Sequence, residues 1–310
     1  MKKRYHFLII IGLLLIGFII GSIFDLQINE AIFSKNNTFG LLMASFGVYP
    51  CYAGLAFIGG GLLSTTMGRN KELPLWIRIF CFSLSGIAYA MSVYLCGREW
   101  PSVNGYNVPQ LAFLSYMIAA VIFAGVYVLA FFICKKGDQK QLWNALLIMT
   151  VIFVVSLLPA GFVIKLIIHR PRYRYVVRTG LVEFKEWWRM FSEYKNYIGG
   201  EIEGFPITKE EFKSFPSGHS GTGMIMAMFL SYAPIFFKKL KGKETLLFYI
   251  GAAFGFLMMF SRLLVGAHYL TDTCMGSLIV MVVFFLVNEF VVRKDLLKEN
   301  EQYKAEQTKD

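Results

Sequence analysis

Six ionisable side chains, Lys165, Arg172, His219, Arg262, His268 and Asp272, stand within or at the ends of otherwise apolar runs. Charge in such surroundings is costly and marks a functional site by default. Lys165, Arg172 and Arg262 have no compensating acid close by in sequence, so an anionic ligand is their natural partner. A phosphate ester, carrying about −1.5 to −2 charges, suits three cations, and the planar guanidinium adds paired hydrogen bonds. One such cation at a helix end is ordinarily a snorkelling anchor; three beside two histidines fit that description poorly. Ser217 and Gly218 follow Pro216 at the start of an apolar run, where a hydroxyl and free backbone N–H groups make an anion site.

His268 and Asp272 are four residues apart. On a helix the carboxylate would hold one imidazole nitrogen and leave the other as a nucleophile. His219 titrates near neutral pH and suits protonation of a leaving oxygen, while the cations and helix-start donors stabilise the transferring phosphoryl group. No His, Cys, Asp or Glu cluster has metal-ligand spacing, so neither metal nor cofactor is expected.

The elements that must position these groups are transmembrane helices. Hydrophobic residues make up 56% of the 310 and charged residues only 16%, against roughly 25% charged in soluble domains. Apolar runs at 7–24, 40–64, 75–96, 111–134, 143–167, 218–237, 246–264 and 269–291 each approach the ~20 residues that span a bilayer. They predict an all-α, polytopic bundle of eight transmembrane helices. The first run follows Lys2, Lys3 and Arg4 and lacks an Ala-x-Ala cleavage site, so it reads as a retained helix. The net charge of +11 resides mainly at helix ends, which disfavours nucleic acid as a partner and suits the membrane surface. Cys51, Cys81, Cys134 and Cys274 lie in apolar runs and Cys96 at the end of one, as packing residues.

Basic loops follow the second, fourth and sixth runs, which places both termini in the cytoplasm and all six groups on the outer face. The long segment 169–217 then lies outside despite its Arg and Lys content. Within it, Phe184, Trp187, Trp188, Phe191 and Ile198 repeat at helical spacing, as in an amphipathic interfacial helix over 181–198, with a solvated loop anchored by its aromatics as the alternative. Thr208 and Glu211 have capping-box spacing and predict a short helix before Phe215.

Three ordered motifs resemble those of the type 2 phosphatidic acid phosphatase and vanadium haloperoxidase superfamily. Lys165 through Arg172 resembles its Lys-x6-Arg-Pro element, Pro216-Ser217-Gly218-His219 its Pro-Ser-Gly-His, and Ser261-Arg262-x5-His268-x3-Asp272 its third motif. Tyr173 replaces the expected proline, and an Arg-Pro pair occurs earlier at Arg170-Pro171; the spacing from Lys165 favours Arg172 as the phosphate ligand. The resemblance implies that His268 forms a phosphohistidine, Asp272 orients it and His219 is the acid. It implies that Lys165, Arg172, Ser217, Gly218 and Arg262 bind phosphate. It also implies a six-helix core over 75–291 that includes the loop 169–217, with 1–70 as two added helices; the composition of 292–310 reads as a polar cytoplasmic tail.

The expected activity is metal-independent hydrolysis, in the cell membrane, of a lipid phosphate or diphosphate such as undecaprenyl diphosphate, phosphatidylglycerophosphate or phosphatidate. The lysine-rich termini and single-membrane topology suggest a bacterium, in which the prenyl diphosphate presents its phosphates outside. The expected partners are that lipid and the surrounding membrane lipids. A phosphotransferase using the same phosphohistidine, and a transporter that binds anions without turnover, are the alternatives.

Overall fold

The computed structural model describes residues 4–99, 109–158, 163–202 and 205–292, and within them the fold is an all-helical polytopic membrane bundle. The polar tail expected over 292–310 lies, from residue 293 on, outside the described residues. Helix α1 spans Tyr5–Ile32, with a non-helical kink at Phe24. The apolar run that predicts this helix ends at 24, ahead of Asp25. The helix continues because Asp25 is buried against an arginine and has no need of water.

Helices α2, Thr38–Phe46, and α3, Tyr49–Gly68, share one pass that bends at Gly47 and Val48. Asn37 caps the first by accepting from Gly40 N at 2.9 Å, and Pro50 sits in the first turn of the second, where its missing N–H costs nothing. Helix α4 is Leu75–Gly97, α5 is Pro109–Lys135 and α6 is Gln139–Leu158. Of the pass expected over 143–167, residues 159–162 lie outside the described residues. Lys165 begins a short helix, α7, Lys165–Ile168, followed by α8, Tyr173–Thr179.

Helix α9, Gly218–Met224, and α10, Met226–Phe236, are joined through Ile225 and make one broken pass. Helices α11, Glu244–Leu264, and α12, Leu270–Val287, complete the bundle. Seven described stretches are long and apolar enough to cross a membrane; the remaining one of the eight expected, 218–237, falls on the shorter α9–α10 pair. Leu8, Ile16, Ile19, Ile23, Phe113 and Val121 are among the large apolar side chains left exposed, as a lipid-facing surface requires.

Helix α3 packs against α4, α5 and α6, while α9 packs on α11 and α12 and α1 lies along α12. The start of α9 meets α12 almost backbone to backbone: a Cβ on Gly276 would fall 2.2 Å from the Ser217 carbonyl oxygen. Gly276→Ala is therefore expected to cost about 1–3 kcal/mol by forcing the helices apart. The checks are a lower melting temperature in detergent and a matching loss of activity, since Ser217 moves with the contact.

The segment 181–198 is not an interfacial helix. It is extended and turn-rich up to Phe191, with a 3-10 helix at Ser192–Tyr197. Two of its aromatics turn inward: Trp187 stacks on Phe215 with centroids 5.6 Å apart and donates to Ser22 Oγ at 3.0 Å, and Phe184 packs on Tyr269. The Lys185 carbonyl accepts from Arg170 Nε at 2.7 Å, a bond that a helix would have reserved for its own N–H. After Thr208 the expected short helix is a 3-10 turn, Lys209–Phe212, capped by Thr208 Oγ1 accepting from Glu210 N at 3.3 Å. Glu211 does not close the box; it turns to Arg174. Two-residue strands β1, Glu201–Ile202, and β2, Phe205–Pro206, form the small ribbon among the described residues.

Candidate active site

Backbone bonds first gather the motif-bearing segments. Arg172 N donates to Glu211 O at 2.8 Å and Ser214 N to Arg170 O at 3.0 Å, joining 170–172 to 211–214. Ser217 N donates to Asp272 O at 2.9 Å and pins the start of α9 to the first turn of α12. Between α11 and α12, Gly266 takes φ +61°, a left-handed conformation natural to glycine. That turn brings Arg262 and His268 to one end of the bundle, and Ala267 N closes it on Arg262 O at 3.0 Å.

His268 precedes α12, so the four-residue helical spacing to Asp272 does not apply to it. Its Nδ1 lies 2.6 Å from the Ser214 carbonyl and 3.7 Å from Asp272 Oδ2, beyond hydrogen-bond reach. The expected Asp272 bond to the ring is thus replaced by a bond to a backbone carbonyl. Because a carbonyl only accepts, Nδ1 carries the proton and Nε2 keeps its lone pair. Burial pushes the imidazole down to about 3, against the nearby Asp272 charge, with Arg172 and Lys165 adding to the depression. Above that pH the ring is neutral and nucleophilic.

Asp272 has other work. Its Oδ2 accepts from Tyr269 N at 2.8 Å, capping the helix, and from Ser214 Oγ at 2.5 Å, while Oδ1 accepts from Arg170 Nη1 at 2.6 Å. It therefore braces the residue whose carbonyl holds His268.

The two candidate arginines have opposite fates. Arg170 is 1% exposed and committed: besides Asp272 and Lys185 O, it donates to Thr271 Oγ1 and Asp25 Oδ2, each at 2.9 Å. Its guanidinium carbon also sits 4.0 Å from the centroid of the Tyr269 ring. Arg172 has a buried Nε without a hydrogen-bond partner. Burial, together with the Arg174 charge, lowers its pKa although Glu211 and Glu210 oppose the shift. Glu211 itself is engaged by Arg174, whose Nη2 and Nε donate at 2.8 and 3.2 Å. With Glu210–Lys213 and Glu186–Arg189 pairs as well, much of the charge in 169–217 is internally balanced.

Ser217 is the N-cap of α9, its Oγ accepting from Ser220 N at 3.3 Å and from Ser220 Oγ at 2.9 Å. The Lys165 ammonium hangs over this helix start, 3.7 Å from where a Cβ on Gly218 would sit. His219 is on the same first turn, with Nε2 3.3 Å from Glu99 Oε2. Burial works to raise the Glu99 pKa, but His219 and Arg98 overcome it and hold it at about 2. An anion therefore stands beside the expected acid. Arg262 is buried, donates to Gly40 O at 2.8 Å and borders a small cavity with Lys35, Arg174 and Arg178. Its charge still acts on Arg172 and His219.

A model of the PAP2 superfamily matches residues 141–295, half of the chain. The chain belongs to the PAP2 superfamily. Superfamily members generally hydrolyse phosphate esters, which accords with an unpaired cation beside a neutral imidazole. No curated protein and no solved structure matches the chain. The match to the superfamily begins within α6, so α1 and Glu99 lie outside it.

Sequence reasoning missed four groups near this PAP2-type site: Asp25, Asn29, Glu99 and the Ser214 carbonyl. Asp25 carried a signal, being an acid in a long apolar run. The Ser214 carbonyl carried none, since every residue has a carbonyl and only the fold aims one.

Proposed function

We propose that this PAP2 superfamily protein is a metal-independent phosphatase that removes phosphate from a lipid phosphate or diphosphate on the outer face of a cell membrane, through a phosphohistidine on His268. The observation that carries this reading is the neutral His268, its Nε2 free for attack, near the charges of Lys165 and Arg172. The Nε2 lone pair forms the bond to phosphorus as the bond to the leaving oxygen breaks, and His219 gives that oxygen its proton. Water then attacks phosphorus, His219 takes its proton, and the P–N electrons return to Nε2. Lys165, Arg172, Arg262, Ser217 and the Gly218 N–H stabilise the phosphoryl oxygens throughout.

A lipid is favoured by the rim of the site. Leu166 and Ile167, beside Lys165, are exposed, as are Trp188 and Met190 on the neighbouring loop. They offer an apolar border for a chain that stays in the bilayer while its headgroup reaches the cations. The basic residues at 238–243 follow α10, at the end of the broken pass opposite His219. By the positive-inside rule this supports an outward-facing site and cytoplasmic termini.

The test is phosphate release by purified protein on undecaprenyl diphosphate, phosphatidylglycerophosphate and phosphatidate in matched micelles. Release from at least one, persisting in a chelator and inhibited by vanadate as a five-coordinate phosphorus mimic, is expected. Transfer to an added alcohol in place of water would convert the reading to a phosphotransferase. Binding of all three without turnover would overturn the enzymatic reading.

A further inference from the structure

Three residues of α1, Gly21, Asp25 and Asn29, recur every fourth position and so share one face of the helix. That face lies on 268–272. A Cβ on Gly21 would stand 2.9 Å from Thr271 N, so the helix approaches without room for a side chain. Asn29, fully buried, donates from Nδ2 to the His268 carbonyl at 3.1 Å. Asp25, 4% exposed, accepts from Thr271 N at 3.0 Å through Oδ1. Its Oδ2 takes Arg170 Nη2 at 2.9 Å and the Thr271 hydroxyl.

The charge arithmetic gives this contact a chemical consequence. Arg170 is shared between Asp25 and Asp272, so one cation faces two carboxylates and the buried trio is net negative. Were Asp272 the only acid on Arg170, its charge would be cancelled. With Asp25 taking the other edge of the guanidinium, a negative charge persists 3.7 Å from the His268 ring. That ring becomes cationic when Nε2 bonds to phosphorus while Nδ1 keeps its proton. A fixed anion in a water-poor site stabilises such a cation far better than one in water.

We propose that Asp25 and Asn29 are positioning residues for the phosphohistidine step, so that the first helix is a working part of the site. Asn29 fixes the backbone of the nucleophile, and Asp25 holds Arg170 so that Asp272 keeps its charge for His268. The assignment rests on the reading of His268 as nucleophile. It is independent of which lipid is the substrate.

The experiment compares Asp25→Asn, Asn29→Ala and His268→Ala with the wild type in the purified full-length protein. Vanadate titration counts intact sites, and kcat per titrated site is measured beside KM. For Asp25→Asn and Asn29→Ala the expected result is a kcat per site lowered about 10–100-fold with KM little changed, as for outer partners of catalytic groups. A merely structural contact would lower the number of sites and leave kcat per site at the wild-type value. That result in both variants, with His268→Ala inactive, would overturn the inference and leave the nucleophile reading standing. Should Asp25→Asn bind no vanadate, Asn29→Ala decides alone by the same criterion. An active His268→Ala would instead overturn the nucleophile reading, and this assignment with it.

Discussion

His268→Ala is expected to lower phosphate release by about 10⁴-fold or more, the scale on which removal of an attacking group is felt when the surrounding donors remain. The protein should still fold. The substitution leaves the Ser214 carbonyl without its donor, an omission worth about 1–3 kcal/mol, while the Asp25–Arg170–Asp272 cluster keeps every bond it makes. Labelled substrate, quenched early in turnover, should leave acid-labile label on the wild type and none on the variant. Near-normal turnover by purified His268→Ala would remove the covalent step. Label on the wild type that fails to chase into free phosphate would mark the adduct as a side product.

The second large effect separates two arginines that stand two residues apart. Arg170→Ala removes the cation shared by Asp25 and Asp272 and leaves two buried carboxylates facing one another. Breaking a buried pair by deleting one partner costs about 3–5 kcal/mol, so this variant should yield little folded protein and bind no vanadate. Arg172→Ala deletes a group whose Nε has no partner to lose. That variant should express and melt like the wild type while kcat/KM falls about 10²–10³-fold, the loss typical of removing one oxyanion donor. The reverse outcome, a well-folded Arg170→Ala protein defective only in turnover, would assign the phosphate to Arg170.

These two arginines also show how far sequence reasoning reaches. Spacing from Lys165 favours Arg172 over Arg170, and the structure adds that Arg170 is engaged in a buried network while Arg172 Nε has no partner. For Asp272 the same style of reasoning misplaced the contact. It assumed that His268 and Asp272 share a helix, whereas the helix begins after His268, and the carboxylate caps its first turn. The amphipathic spacing in 181–198 failed for a related reason. Aromatic residues at helical intervals bury as well on an irregular segment when that segment must lend a carbonyl to Arg170 and a tryptophan to Phe215.

What the sequence determined by itself was the set of long apolar passes, and with them a polytopic helical bundle, because apolar length and charge exclusion act locally and additively along the chain. It also determined the family, since the three motifs are contiguous strings. The tertiary structure alone decided which atom holds the His268 ring, that Arg170 is taken up by buried partners, and that Glu99 stands beside His219. It alone decided that the first helix reaches into the site, where Asp25 meets Arg170 across 145 positions of chain. Such bonds depend on where distant backbones come to rest, and a carbonyl or a lone aspartate has no local pattern from which that position can be read.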